Sequence, residues 1–416
     1  MTADAPAAAR APVPAPLTRP GRRPLARPAV LLAALGPGVI GLIANNDAGG
    51  MLSYLATGAG RDLGRILPAL AMLGALTLFI QWIATRVALA TRRPYSRVVA
   101  DGLGRAPAVL EAVAMYGLNA FWLVTEFMGM ALALGLAGVP RALSLPLTCA
   151  LVIGVTSSRA YPRIERLLLP VAAASLAFIP ALLFAHHAPG SLAAALSAPA
   201  GRPWFLLLAL AGNAIAPWMV YWQQNAVWAG AEREQRARMG DLATGAVAFV
   251  LMAAAVIVLG AVTRPAASAL VSPVRWIYAQ AGPVAGILFA VGLFQAGLLA
   301  ACTVSLASLW TLREALGAGA GLRTEAPNRG PWLALHAATL VAAAAVALLP
   351  GLAAGRVALW ANALAGVWMP VTMVVLLLVS RSPRVMGQRA VGPLVQAVLA
   401  VVAAGFVALA VLGLAG

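Results

Sequence analysis

The sequence predicts an all-α polytopic membrane protein, with two inverted repeats of five spans and one accessory span. Three observations predict it. Apolar runs of about 20 residues recur along nearly the whole chain, each long enough to cross a hydrocarbon core of roughly 30 Å. The first and sixth runs are interrupted near their middles by Asn, Asp, Gly and Pro. Arginine gathers in alternate connections between the runs.

Composition sets the class. Of 416 residues, 62% are hydrophobic and 10% charged, where a soluble chain carries roughly a quarter charged. No polar stretch remains to build a second domain, so residues 28–416 read as one transmembrane unit behind a cytosolic tail, 1–27. The adjacent Arg22 and Arg23 invite a twin-arginine signal, but the apolar run that follows is broken by Asn45, Asn46 and Asp47 and lacks a cleavage site. The net charge of +17 comes entirely from arginine, since the chain has no lysine. These arginines sit in short connections, which argues against a nucleic-acid surface. No HExxH, GxSxG or paired-carboxylate motif supports an enzyme, and no cytosolic domain supports a sensor. No cofactor and no obligate protein partner is implied. Cys149 and Cys302 are isolated inside apolar segments and read as small packing residues.

Breaks at Gly, Pro and charged clusters give eleven segments. The first repeat, about 28–186, contains 28–57, 66–90, 108–136, 143–156 and 167–185. The second, about 203–381, contains 204–228, 242–262, 276–312, 332–349 and 357–380. The accessory span is 391–414, within a segment of about 391–415. With the N-terminus cytoplasmic, the tail and the even-numbered connections hold 22 of the 29 arginines. The other side keeps Arg61, Arg65, Arg141, Arg202, Arg264, Arg275 and Arg356. The expected orientation in a bacterial inner membrane is therefore N-terminus in and C-terminus out.

Two spans are not ordinary helices. The first carries Asn45-Asn46-Asp47-Ala48-Gly49-Gly50 and the sixth Gly212-Asn213-Ala214-Ile215-Ala216-Pro217. An intramembrane Asp is expensive unless it faces protein, water or a cation. Gly and Pro beside it release backbone carbonyls that need partners. The two interruptions are five spans apart, an odd offset that reverses membrane direction. Paired broken helices in corresponding positions point to a midplane substrate site. Asp47 reads either as a cation or substrate ligand, or as a structural cap on the half-helix that follows. Glu126 is a functional acid or a buried carboxylate bonded to a neighbouring helix.

These residues carry a family resemblance. Gly36-Pro37-Gly38 followed by Asn46-Asp47-Ala48-Gly49-Gly50 resembles the first span of Nramp transporters, where GPG precedes an unwound DPGN motif. Ala216-Pro217-Trp218 falls where that family's sixth span has Met-Pro-His. Thr125-Glu126-Phe127-Met128-Gly129 resembles the acidic motif of its third span, and Gly297-Leu298-Leu299-Ala300-Ala301 its eighth-span motif. The resemblance implies a LeuT-type fold and uptake of divalent metal cations, commonly with proton coupling. It implies metal binding by Asp47 and by backbone carbonyls at Asn213 and Ala44. It also implies a substrate cavity at Asn46, Gly50, Ala216 and Gln223, and a proton-pathway role for Glu126.

The departures from the pattern shape the expected cargo. The motif's Asn is Gly50, its Pro is Ala48, the Met ligand is Ala216, two His positions are Trp218 and Gln223, and an Asp is Leu123. Loss of a thioether removes a filter for softer metals. Small residues at two ligand positions are expected to enlarge the cavity, which suits a partly hydrated Mg²⁺ or Mn²⁺. The pattern resembles Nramp-related magnesium transporters and implies weak or absent proton coupling. The rival is a LeuT-fold carrier of a small organic or zwitterionic solute. Other polar residues read as structural. Gln224, Asn225, Thr303, Ser305 and Ser308 suit interhelical bonds as well as a path, and His186 and His187 sit at an interface. Trp218, Trp222 and Trp228 read as packing, while Arg159, Arg163, Glu165 and Arg166 read as a solvated loop.

Overall fold

The computed structural model describes residues 36–60, 62–157, 161–197, 204–229, 235–264, 271–318 and 330–415. The predicted tail, and residues 28–35 of the first predicted span, lie outside the described residues.

The first span is two half-helices, α1 (Pro37–Ala44) and α2 (Ala48–Ala59). The second is α3 (Leu63–Thr91); a short α4 (Tyr95–Leu103) precedes the third, α5 (Arg105–Leu136). The fourth is α6 (Arg141–Thr156). The fifth bends through a 3₁₀ turn, Ser175–Ala177, between α7 (Tyr161–Ala174) and α8 (Phe178–Leu183), and α9 (Ser191–Leu196) follows it. The sixth divides into α10 (Trp204–Ala214) and α11 (Pro217–Ala229). Then come α12 (Gln235–Thr263), a short α13 (Pro273–Gln280), α14 (Pro283–Ala315), α15 (Pro331–Leu348) and α16 (Ala354–Ser380). A turn of helix, α17 (Pro383–Met386), leads to α18 (Pro393–Ala415).

Among the described residues, nine helical runs are long and apolar enough to cross a membrane by length and composition. The 16-residue α6 and the divided first span bring the apolar segments to eleven. Two segments differ from expectation. The predicted eighth run, 276–312, is two helices, because Gly282 at φ 100° turns the chain before Pro283 starts α14. The connection at 92–105 contains α4, whose single apolar face is too short to register as a span.

The packing follows the five-span offset. Spans three and eight, α5 and α14, are mates under that offset and make the most extensive contact in the molecule. The packing of α2 on α12 is repeated by α11 on α3, that of α1 on α7 by α10 on α16, and that of α6 on α14 by α15 on α5. The accessory α18 lies against α10 and α16. Two inverted five-span repeats plus one helix therefore describe the bundle.

Helix α1 is held at its start by a residue from the seventh span. The Asp241 carboxylate accepts from Gly36 N at 2.7 Å, Gly38 N at 2.8 Å and Val39 N at 3.0 Å. A Cβ at Gly38 would stand 2.7 Å from Asp241 Oδ2, so the glycine admits this approach. An anion on three amides at a helix start satisfies both the free donors and the helix dipole. Asp241→Asn is expected to lower stability by about 1–3 kcal/mol, since hydrogen bonds to a charged group are the strong ones. A melting curve of the purified variant reads this, and an unchanged midpoint would refute the role.

Candidate functional site

The chain leaves α1 at Asn45, whose N–H bonds Gly41 O, and tightens as Asn46 N reaches Ile43 O at 2.9 Å. Asp47 is extended at φ −68°, ψ 170°, and its carboxylate caps α2 by accepting from Gly50 N. Its other oxygen, Oδ2, is buried with no hydrogen-bond partner. Among the described residues, no amide bonds the Ala44 carbonyl. In span six, the residue four after Asn213 is Pro217, which has no N–H, so the Asn213 carbonyl also lacks its helical partner. The Ala214 carbonyl is used instead as a joint, accepting from Asn45 Nδ2 at 3.0 Å and Thr77 Oγ1 at 2.7 Å.

The two breaks therefore face each other. Asn213 Nδ2 donates to Tyr54 Oη at 2.6 Å and reaches Asn45 O at 3.5 Å, and its Oδ1 has no partner. A Cβ built on Gly50 would lie 2.5 Å from Asn213 Nδ2 and 2.6 Å from its Oδ1. The expected enlargement at Gly50 is thus corrected: the Asn213 amide fills that space. An amide remains at the site, but span six supplies it where the motif would take it from span one.

Glu126 reaches the same helix start from α5. Its Oε2 accepts from Ala48 N at 2.9 Å and its Oε1 from Thr125 Oγ1 at 3.0 Å. Asp47 and Glu126 are 0% and 1% exposed and share the amino end of α2, with the Trp122 indole beside Asp47. Among the described residues, no buried charged side chain is an arginine. Two carboxylates therefore stand side by side without a basic partner, held by backbone amides and a helix dipole.

The remaining predicted residues are placed as follows. Asn46 points its amide at span seven, donating to Phe249 O at 2.9 Å, and keeps Oδ1 unpartnered. Ala216 lies in the break itself, buried at 1% exposure. Gln223 is not joined to Asp47: it donates to Thr85 Oγ1 of α3 at 2.9 Å. The run after it divides, with Asn225 bonded to Tyr95 N and Gln224 carrying no hydrogen bond at either amide atom. Among the described residues, no group of three His, Cys, Asp or Glu gathers anywhere. The donors here are carboxylate, amide and carbonyl oxygens.

Sequence reasoning missed Asn45 as a joint between the breaks, Asp241 as the anchor of α1, and Tyr54 as the partner of Asn213. The available signal was weak: a lone Asp one residue before an apolar span, and a Tyr one turn beyond two glycines.

The profile of the Nramp family, described as natural resistance-associated macrophage protein-like, matches residues 38–416. The chain belongs to the Nramp family. No curated protein matches it. Its fold is similar to that of a point mutant of the Eremococcus coleocola manganese transporter, with a TM-score of 0.72 at 16% identity over 92% of this chain and 86% of that one. The same transporter bound to an aromatic bis-isothiourea compound aligns with a TM-score of 0.72 at 16% identity, covering 94% and 88%. The nucleobase-cation-symport-1 family transporter MHP1, closed around bromovinylhydantoin, aligns at 0.55 and 16% identity over 91% and 89%. These likenesses establish an all-helical LeuT-type fold. This Nramp-family chain is a multi-pass membrane transporter and not an enzyme.

Proposed function

We propose that this transporter moves hard divalent cations, Mg²⁺ and Mn²⁺, by alternating access across the bacterial inner membrane, with its N-terminus cytoplasmic. The observation that carries the reading is the pair of buried carboxylates, Asp47 and Glu126, with no arginine paired to them among the described residues and unpartnered oxygens around them. A buried anion without a counter-charge is costly, and a transported cation supplies one. Oxygen donors without a thioether or thiolate suit Mg²⁺ and Mn²⁺ over softer metals. Asp47, the Asn213 and Ala44 carbonyls and the Asn213 amide are the proposed ligands. The family profile supports a metal cargo, and the structural relative named above is itself a manganese transporter.

Proton coupling is weak or absent, because an Asp and two His of the family's route are Leu123, Trp218 and Gln223 here, which leaves Glu126 without its titratable companions. Proteoliposomes with metal and pH reporters are expected to take up Mn²⁺ and Mg²⁺ without lumenal acidification. Excess Cd²⁺ is expected to inhibit no more than excess Mg²⁺. Exclusion of both hard ions would end the reading.

One observation favours the organic-solute alternative. A cavity of about 360 Å³ beyond Met128 is lined by Arg141 and Arg275, a pair suited to a carboxylate. Zwitterion uptake without metal uptake would select it.

A further inference from the structure

A second buried acid lies about 22 Å along α5 from Glu126, fifteen residues away at 1.5 Å each. Glu111 is 4% exposed, and among the described residues no ion pair reaches it. Tyr95 Oη at 2.9 Å and Tyr221 Oη at 2.7 Å both donate to its Oε1, while Oε2 has no partner. Two donors on one oxygen suit an ionised carboxylate whose second oxygen is open. The Thr372 hydroxyl stands beside Tyr221, near enough to interact with it but outside good hydrogen-bond geometry. Gln224 follows Tyr221 by three residues, on the same face of α11, fully buried and with both amide atoms unpartnered. An acid, an amide and a hydroxyl, each with an unused oxygen, are thus carried on helices that pack together here, α5, α11 and α16, with α4 against them.

The position is connected to the site between the breaks. Glu111, Met115, Asn119, Trp122 and Glu126 recur every three or four residues along α5 and are all buried. Helix α11 starts at the sixth-span break, and Tyr221, one turn into it, bonds Glu111, so the helix borders both places. Asn119 between them donates to Ser308 of α14 at 2.7 Å and leaves its own Oδ1 unpartnered.

We infer that Glu111, with Gln224 and Thr372, forms a second, weaker site for a hard divalent cation on the route between the broken helices and the α4 end of the bundle. The inference rests on the metal reading proposed above. Oxygen-only donors and a single negative charge fit a cation that keeps most of its water and stays briefly. The tyrosines hold the carboxylate still between occupants.

The test compares Mn²⁺ binding stoichiometry and Mn²⁺ influx in wild type, Glu111→Gln and Gln224→Leu. Glu111→Gln keeps an acceptor for both tyrosines and removes the charge. Gln224→Leu replaces an unpartnered buried amide by an apolar group, a change that leaves a merely structural position neutral or more stable. Wild type is expected to bind two Mn²⁺, one weakly. Each variant is expected to lose the weak site, keep the tight one within about twofold, and slow influx about tenfold. One-site binding by wild type, or a variant with wild-type influx and two sites, would overturn the inference while the Asp47 site stands. Wild-type liposomes that admit no divalent cation would instead bring down the metal reading, and this inference with it.

Discussion

Asp47→Asn is expected to lower Mn²⁺ influx at least about 100-fold, and at the same time to raise the stability of the metal-free protein. Both effects have one cause. Asn keeps an oxygen to accept from Gly50 N, so the cap on α2 survives. What disappears is one of two adjacent carboxylates that have no basic partner among the described residues. Without metal, removing the charge relieves repulsion and the burial of an unpaired anion. With metal, a principal charged ligand is gone, and a loss of about 2.7 kcal/mol already corresponds to 100-fold. Thermal unfolding with and without Mn²⁺ separates the two effects. Wild type is expected to gain stability with added metal in proportion to site occupancy, and the variant is not. A variant that retains influx, or is still stabilised by Mn²⁺, would rule out Asp47 as the central ligand.

Glu126 is expected to divide charge from support. Glu126→Ala removes the acceptor of Ala48 N and leaves that amide buried and unsatisfied, which costs about 1–3 kcal/mol before any cavity effect. Influx through this variant is expected to fall about 100-fold, with a lower melting midpoint. Glu126→Gln keeps a carbonyl oxygen for Ala48 N and loses only the charge, so its midpoint stays near wild type and influx falls about tenfold. Equal influx in the two variants would mean that the charge has no part beyond the hydrogen bond. Equal midpoints would mean that Ala48 N finds another acceptor.

Much of the architecture is legible in the sequence because the bilayer makes each span nearly self-sufficient. A helix satisfies its own backbone, so apolar length and Gly/Pro/Asp punctuation mark the spans and both breaks. Asp47 stands out because carboxylates are rare at that depth. The partnerships are not legible. Asp241 meets Gly36 across 205 positions and Asn45 meets Ala214 across 169, and neither sequence pattern names its partner. Position 50 reads as a vacancy for the same reason: an absent side chain is visible in sequence, and the group that moves into its volume is not. The turn at Gly282 does carry a signal, the Gly282-Pro283 pair, but the apolar stretches beyond it on both sides read together as one run.

Gly50 and Asn213 are two halves of one choice, and that constrains the order in which the site can change. With Asn213 in place, a larger residue at 50 must displace that amide from the Tyr54 hydroxyl, because even a Cβ would lie 2.5 Å from Asn213 Nδ2. With Asn213 shortened first, the site passes through a stage with no amide at either position. Each single step is unfavourable on its own while the pair exchanged together is not, which is sign epistasis written in packing. Ligand-set differences at this position should therefore be inherited as linked pairs, and a graft of one residue from a relative transfers the clash without the selectivity.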